Sequence, residues 1–458
     1  MNTALWDSIL KFNLDGPMAD YGFSTRLADE NFWTKNFTIK AIEEYKKFIY
    51  LAATSDFMVS PSEIVDAVWH EHIIFTQSYV DLCNIVGKNI QHIPSTHNKE
   101  DFEKFRLAKE RTKKQYNEAF GEQPKEIWEY EGMFHPLALP KLKHKIRTFI
   151  IIGILAFFSL SIPFYQLLKP LYTHIENPGF LIGYIAIVLF GLVILEAYNR
   201  YYLQKLVASW PPFCCIYDLS PLELVYLKTG KLSYVIHGVV NNFISGGQIG
   251  LNRDYTLQLN KEVVAWDIES FAVLDTVKSL GPVAYRVILG QLLKKPIFVN
   301  VANCMNAFRK YFSKSKAQGK IFYTNFIVWL FILMLGFARL LTGIMRDRPV
   351  HFIAIALIII TLVISAFLWR TTTMVYSYAI PELYRKTILS SSGKTDNGDW
   401  QYFLTGTAIF SSAFLPLVNS VENASKSGAS GCSSSGCGGG SSCGSSCGSS
   451  CGGCGGGD

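Results

Sequence analysis

Charged residues are scarce in this sequence. Asp, Glu, Lys and Arg make up 17% of its 458 residues, whereas soluble domains usually carry about a quarter. Apolar residues account for 49%, so the composition favours a membrane protein. The length excludes a disulfide-stabilised miniprotein and allows two to four domains.

Motifs of the common enzyme classes are absent as well. The sequence has no Walker A loop, dinucleotide-binding glycine pattern, G-x-S-x-G elbow or paired metal-ligand motif. The glycine-rich stretch at 246–250 lacks the strand-to-helix context of a phosphate loop, and HEHII at 70–74 is not H-E-x-x-H. These absences exclude a motif-based assignment to those enzymes and lean against catalysis as the function.

Four apolar runs are long enough to cross a membrane. A spanning helix needs about 20 predominantly apolar residues to cross about 30 Å of hydrocarbon. Length and hydropathy disfavour the alternative, which is a pair of buried hairpins in a soluble protein. The predicted spans form two helix pairs and cover residues 149–168, 179–195, 321–338 and 352–368.

Basic residues orient these spans. Segment 197–320 holds 15 Lys and Arg, whereas 169–178, between the first two spans, holds only Lys169. Because basic loops stay in the cytoplasm, the N-terminal region, the middle region and the chain after residue 370 are predicted to be cytoplasmic. The first residues also lack the basic start and apolar core of a secretory signal. We therefore expect a multi-pass protein of the cell (inner) membrane with a cytoplasmic N-terminus.

Arg339 is the only charge close to the interior of a predicted span. Its long side chain could reach the interface, or it could pair with an anion or with Asp347 at the mouth of the third and fourth helices. The spans contain no carboxylate well inside the membrane. This absence argues against a proton or ion relay.

Residues 1–140 are predicted to form a helical domain. Apolar residues recur at helical spacing over 39–54, and a further helix is predicted over 99–120. Between them, the Ser-Pro-Ser-Glu sequence at 60–63 is predicted to be a capping box with Pro at the first helical position. The helix that it starts is expected to end at Gly87.

Asp66, His70 and His92 form a candidate polar site in this domain. Asp66 and His70 are one helical turn apart and can pair, and His92 and His97 follow in the next loop. His70 and His72 point to opposite sides of a helix, so they cannot hold one metal ion together. The sequence leaves two interpretations open: a metal or acid–base site, or histidines that are hydrogen-bonded for packing.

The same region resembles a known family. The residues that carry the likeness are Asp66, the Trp69-His70-x-His72 sequence, Tyr79, Cys83, Gly87 and the His92-x-Pro94 sequence. They resemble the signature of the glycine-rich domain-containing protein family, known best from plants, over roughly residues 30–135. The resemblance implies a helical module and no reaction, and its Asp and His positions carry over without an assigned role.

Residues 197–320 are predicted to be a second cytoplasmic domain. A capping box at 220–223, two short helices and a hairpin over 248–259 follow the order of a winged helix. Residues 218–262 hold four positive and four negative charges, which argues against nucleic acid as a partner. We expect a winged-helix-like packing module, followed by amphipathic helices over 269–293 and 301–315.

The C-terminal part resembles a second family. The sequences LSPLELVYLKTG at 219–230, VVNNFISGGQI at 239–249 and GFARLLTGIMRDRPVHF at 336–352 are similar to an uncharacterised bacterial membrane-protein domain family with Gly/Cys-rich tails. The resemblance covers about residues 200–458. It implies an integral membrane protein, bacterial in origin, and no activity.

The last 31 residues contain 13 Gly, 10 Ser and 6 Cys and are predicted to be disordered. They include one C-x-x-C, so the zinc signal is weak, although six thiols on a flexible chain could bind Zn or Cu(I). Ahead of them, 402–418 is predicted to be an interfacial or packed helix rather than a fifth span, and this choice sets the side of the tail. The cysteines are Cys432, Cys437, Cys443, Cys447, Cys451 and Cys454.

These predictions describe a mainly α protein in a lipid bilayer. Three functional hypotheses remain open. The favoured one is a membrane scaffold or interaction protein with unknown protein partners. The others are a metal- or thiol-sensing protein that uses the tail, and a membrane-bound enzyme that uses Asp66, His70 and His92. The predicted parts are a helical cytoplasmic domain (1–140), a transmembrane hairpin (148–196), a helical or winged-helix-like cytoplasmic domain (197–320), a second transmembrane hairpin (321–370), an interfacial or packed helical region (371–427) and a disordered Gly/Ser/Cys tail (428–458).

Overall fold

The computed structural model describes residues 2–93, 99–260, 263–389 and 397–428. Over these residues the chain is mainly helical, as predicted, with three short strands. The described residues up to 411 form one compact unit, and those from 412 to 428 belong to a second. His97 and the predicted tail after residue 428 lie outside the described residues.

The N-terminal region is built from helices that pack through their apolar sides. These are α1 (Thr3–Lys11), α2 (Phe23–Asn31), α3 (Lys35–Thr54), α4 (Glu63–Ile74), α5 (Thr76–Val86), α6 (Lys99–Phe120) and α7 (Lys125–Trp128). Thr34 caps α3, since its hydroxyl accepts a backbone N–H at 3.3 Å. The core includes Tyr45 and Phe48 of α3 and Val65 and Val68 of α4, which are fully buried.

The capped helix differs from its prediction at the start and in the middle. The N-cap is Ser62 and not Ser60, because the hydroxyl of Ser62 accepts the N–H of Val65 at 3.2 Å, whereas the N–H of Ser60 donates to the Thr112 hydroxyl at 2.8 Å. The predicted single helix is also two helices, since Phe75 leaves the helical conformation with ψ of 62°. The end at Gly87 is confirmed.

The next two helices are long and apolar. They are α8 (Ile146–Tyr172) and α9 (Asn177–Ala208), and both continue past the apolar runs that predict them. The 32 residues of α9 give a length of about 48 Å at 1.5 Å per residue, which exceeds the thickness of the hydrocarbon. The ends of this helix therefore reach beyond the apolar layer.

The middle region begins with the predicted helix pair and hairpin. The predicted capping box is confirmed, since the Ser220 hydroxyl accepts the Glu223 N–H at 3.3 Å and the Glu223 carboxylate accepts the Ser220 N–H at 2.7 Å. The elements are α10 (Pro221–Thr229), α11 (Leu232–Ser245), β1 (Ile249–Leu251), β2 (Thr256–Leu259), α12 (Ile268–Leu280), β3 (Val283–Ala284), α13 (Tyr285–Leu292) and α14 (Pro296–Ser313).

The strands form one small antiparallel sheet in the order β1-β2-β3, so the predicted hairpin is confirmed. The predicted helix over 269–293 is wrong in its middle, because α12 ends at Gly281, which has φ of 68°. Pro282 follows and cannot donate a helical hydrogen bond. The chain then adds β3 to the sheet before α13 begins. The winged-helix interpretation stays a prediction.

The next two long helices are α15 (Lys316–Ile344) and α16 (His351–Thr371). With α8 and α9 they make four helices, among the described residues, that are long and apolar enough to cross a membrane. Trp329 of α15 lies 5.7 Å from Phe367 of α16 between ring centroids. The hydroxyl of Tyr184 on α9 donates to a backbone carbonyl of α15 at 3.2 Å. Asn199 and Asn325 join α9 to α15 amide to amide, at 2.8 and 3.0 Å. This set of helices fits a membrane protein.

The segment predicted as one helix over 402–418 is broken. Gly406, with φ of 65°, ends the helix that precedes it, and a short 3-10 turn follows. A helix that spans the bilayer needs about 20 continuous residues, so this segment does not form a fifth span. The elements after α16 are a π-turn (Val375–Ala379), α17 (Ile380–Leu389), α18 (Gly398–Thr405) and, in the second unit, α19 (Leu415–Gly428).

Candidate metal centre

Helix α4 carries two of the three predicted site residues on its exposed side. Asp66 and His70 lie one turn apart, and Nε2 of His70 is 3.4 Å from Oδ2 of Asp66. His72 is fully buried on the opposite side. The prediction that His70 and His72 point apart is therefore confirmed.

The loop after α5 brings the third residue to the same place. Gly87 adopts the left-handed conformation, with φ of 69°, and reverses the chain. The Tyr79 hydroxyl donates to the carbonyl of Ile90 and accepts the indole N–H of Trp69 at 3.0 Å. Burial raises the pKa of Tyr79 to about 12, so the hydroxyl keeps the proton that it donates. This network holds the loop against α4 and positions His92.

The three side chains converge on one point. Nε2 of His92 lies 3.0 Å from Oδ1 of Asp66, and the rings of His70 and His92 are 4.3 Å apart between centroids. One ligand atom from each residue lies within 4.8 Å of the other two. The side chain of His70 is 58% exposed and that of His92 is 17% exposed, so the cluster is open to solvent on the His70 side.

The donor set fits a divalent transition metal. Imidazole nitrogen and carboxylate oxygen bind Zn²⁺ at about 2.0–2.2 Å, which places the ligand atoms of a tetrahedral ion about 3.4 Å apart. Asp66 makes its two contacts through different oxygens, Oδ2 to His70 at 3.4 Å and Oδ1 to His92 at 3.0 Å, and each contact by itself is close to this spacing. The remaining pair, within 4.8 Å, can close by rotation of the exposed His70 ring. Three protein ligands leave a fourth coordination position for water or a ligand.

The packing interpretation accounts for His72 and for part of this cluster, since Nε2 of His92 is hydrogen-bonded to Oδ1 of Asp66 and its ring lies 4.6 Å from that of Trp69. Nδ1 of His72 is bonded to the Tyr45 hydroxyl at 2.8 Å and Nε2 to the Ser78 hydroxyl at 3.0 Å. Desolvation lowers the pKa of His72 to about 4, so it is a neutral core residue. The contact between Asp66 and exposed His70, by contrast, contributes little to stability, because solvent screens it.

A cleft of about 350 Å³ borders the cluster. Asp66, Trp69 and His92 line it together with Ser55 and Lys88. Lys88 donates to the backbone carbonyl of Ser55 at 3.0 Å and so fixes the far wall. An ion held by the cluster would therefore border a space that is large enough for a small ligand.

Arg339 has partners that the sequence did not suggest. It is 8% exposed, and its guanidinium donates to the carbonyls of Tyr172 and Ile175, the latter at 2.8 Å. Tyr172 is the last residue of α8, where a cation is favourable, and Ile175 lies in the connection to α9. The described hydrogen bonds of Arg339 therefore close the end of a helix, where we expected snorkelling or an anion.

Three of the four cysteines outside the tail are unsuited to thiol chemistry, and the fourth, Cys83, is a half-buried free thiol. Cys214, Cys215 and Cys304 are free thiols and are buried. Burial raises the pKa of Cys214 to about 11, so it is protonated at neutral pH. The six tail cysteines, from Cys432 to Cys454, lie outside the described residues, and their metal or thiol chemistry stays a prediction.

A second cavity, of about 440 Å³, has no counterpart in the sequence analysis. It lies between the N-terminal and middle helices and has mainly apolar walls. Asn300 and Thr25 line it, and within the described structure neither Oδ1 of Asn300 nor Oγ1 of Thr25 has a hydrogen-bond partner. Periodicity could not reveal this cavity, because its walls come from helices that are far apart in the sequence.

Comparison with known proteins places Asp66, His70 and His92 inside a region that matches an uncharacterised family. Residues 27–117 match the model of a family described as UCP032817-like. The match runs from α2 into α6 and includes Asp66, His70 and His92. No curated protein and no solved structure matches the chain. The resemblances to the glycine-rich domain-containing proteins and to the bacterial membrane family stay predictions.

Proposed function

We propose that this protein is a membrane protein that binds one divalent transition-metal ion in the helical module ahead of its first apolar helix. The observation that carries the proposal is the convergence of Asp66, His70 and His92, whose ligand atoms lie within 4.8 Å of one another. Two of the three residues come from α4 and the third from a loop fixed by the Tyr79 network. The metal-sensing hypothesis thus acquires a defined site in addition to the tail.

The exposure of His70 supports exchange of the ion with solution. A structural zinc site has four protein ligands and is closed, whereas three ligands and an open position allow water or a ligand to bind. The enzyme hypothesis rests on the same cluster, since a metal-bound water beside a cleft is the arrangement used in metal-assisted hydrolysis. Metal binding is therefore the first property to test for both hypotheses.

The scaffold hypothesis ranks below metal binding. It requires free surfaces on two soluble modules, but parts of those surfaces are used in contacts between the modules. Lys35 pairs with Glu269 at 2.7 Å, and the Asn36 amide donates to the carbonyl of Asp218 at 2.9 Å. Protein partners would have to dock elsewhere.

The test is the metal content of the purified full chain after exposure to Zn²⁺, with Co²⁺ absorption as a second readout of tetrahedral N/O ligation. We expect one ion per chain. His70→Gln and His92→Gln should each weaken binding by on the order of 100-fold, since even the loss of a residue that only supports a ligand costs 10–100-fold. His144→Gln changes a histidine outside the cluster and should retain the ion.

A variant with the six tail cysteines changed to Ser separates the two metal hypotheses. It should keep the ion and the Co²⁺ spectrum if the cluster is the site. Metal that is lost with the cysteines and kept in both histidine variants would contradict the proposal and place binding in the tail.

A further inference from the structure

A groove at one end of the apolar helices carries a set of anion-binding groups. It is defined by Tyr202 at the end of α9, Trp210 just after it, Lys316 and Lys320 at the start of α15, and Pro140 of the segment before α8. Its volume is about 530 Å³, and the residues that line it include two lysines and no Asp or Glu. We call it the α9–α15 groove.

Trp210 supplies a buried donor in this groove. The residue is 5% exposed, and within the described residues its indole N–H has no hydrogen-bond partner. A buried N–H without an acceptor is unfavourable, because it has lost its hydrogen bond to water. An acceptor supplied by a ligand would remove this cost.

The lysines and the helix end add positive charge beside this donor. Lys316 and Lys320 are both exposed, and Nζ of Lys320 lies 4.9 Å from the centroid of the Tyr202 ring. Lys316 is the first residue of α15, and the positive end of the helix dipole there favours an anion. The groove therefore attracts a negatively charged group with several oxygen acceptors.

The groove lies where the headgroups of a bilayer would be. Both α9 and α15 are candidate spans, and the groove is at the last turns of one and the first turn of the other. The remaining walls are apolar and include Leu137, Leu139 and Leu206. Tyr and Trp at this level are typical of the membrane interface. A ligand here can place a charged group against the lysines and an acyl chain along the helices.

We propose that the α9–α15 groove binds the headgroup of an anionic phospholipid. The phosphate would accept hydrogen bonds from the indole of Trp210 and from the ammonium groups of Lys316 and Lys320. One lysine near the surface of an anionic membrane raises the binding affinity about fivefold. Two lysines should therefore raise the affinity about thirtyfold. A zwitterionic lipid also has a phosphate but carries no net charge, so it gains less.

The experiment is native mass spectrometry of the full chain in detergent, titrated with phosphatidylglycerol or with phosphatidylcholine of the same acyl chains. We expect the first phosphatidylglycerol to bind at least about tenfold more tightly than phosphatidylcholine. Lys316→Gln/Lys320→Gln should reduce this preference to about threefold or less. Lys113→Gln/Lys114→Gln removes the same charge from exposed positions of α6 and should leave the preference unchanged.

Trp210→Phe tests the donor separately, since it keeps an aromatic ring and removes the N–H. Its preference should fall several-fold. If this variant does not fold, the lysine pair and its control still decide the result. Equal binding of the two lipids, or a preference kept in the Lys316/Lys320 variant, would overturn the proposal. So would full competition by free glycerol 3-phosphate, because the groove would then be a site for soluble anions.

Discussion

His72 is held neutral in the core, so the stability of the N-terminal region should depend on pH. Its pKa of about 4 in the folded chain lies below the usual value near 6.5 for an exposed histidine. The unfolded chain therefore binds a proton that the folded chain does not. The contribution of neutral His72 is complete above pH 6.5 and is lost as the pH falls towards 4, by about 3 kcal/mol.

We expect His72→Gln to be less stable than the wild type at pH 7.5 but to lose less stability between pH 6.5 and 4.5. Gln keeps a hydrogen-bonding amide beside Tyr45 and Ser78 and has no proton to gain. The measurement is the thermal unfolding midpoint of the full chain in detergent across this range. His144→Gln, at an exposed position, should keep the wild-type slope. If His72→Gln shows the same pH dependence of the unfolding midpoint as the wild type, His72 is not the source of that dependence.

The residues of the candidate metal site show how far sequence reasoning reaches. The pairing of Asp66 and His70 was predictable, since helical spacing alone places them together. His92 could be suspected only from its residue type, because its position depends on Gly87 and on hydrogen bonds between Tyr79, Trp69 and Ile90. The partners of Arg339 were not predictable, because they are backbone carbonyls at the end of α8 and in the loop that follows it.

At the scale of helices, α15 approaches α9 and α16 closely at a glycine. A Cβ at Gly336 would lie 2.5 Å from the hydroxyl of Tyr184 and 2.7 Å from a methyl group of Leu357. By contrast, a Cβ added at Gly183 on α9 would have no neighbouring heavy atom within 4 Å. Small residues let helices approach where association depends on close packing.

We therefore expect Gly336→Val to destabilise the protein by about 1–3 kcal/mol through overpacking. Gly183→Val should change stability by less than about 0.5 kcal/mol, because it introduces the same side chain at an exposed position. Unfolding midpoints of the two variants in the same detergent provide the comparison. Equal midpoints would show that the close approach at Gly336 contributes nothing.

The existence of a helix was predictable where hydrophobicity and length determine it, but most helix boundaries were not predictable. All four apolar runs are helices, and α6 has the bounds that the sequence predicts. The break at Phe75 depends on tertiary packing, since its ring packs on Phe23 at 5.6 Å. The break at Gly281 could have been predicted, because Gly followed by Pro ends a helix through local chemistry alone.

At the scale of the whole molecule, contacts between loops fix which helix ends lie together. Arg346 donates to the carbonyl of Thr173 at 3.4 Å, so the connections α8–α9 and α15–α16 are neighbours at one end. At the other end, the N–H of Lys316 donates to the carbonyl of Pro140 at 2.7 Å. The soluble helices ahead of α8 and between α9 and α15 therefore belong to one side of any membrane that the four helices cross.

The charge difference between the ends predicts which side is cytoplasmic. Segment 197–320 holds 15 Lys and Arg, so we expect it to stay inside. With the ten native cysteines changed to Ser, His174→Cys and Arg348→Cys should react with an impermeant maleimide in intact cells, whereas Lys113→Cys and Lys294→Cys should react only after lysis. The reverse pattern would contradict the predicted orientation. Labelling of all four only after lysis would contradict the crossing itself, because both connections would then remain on the inner side.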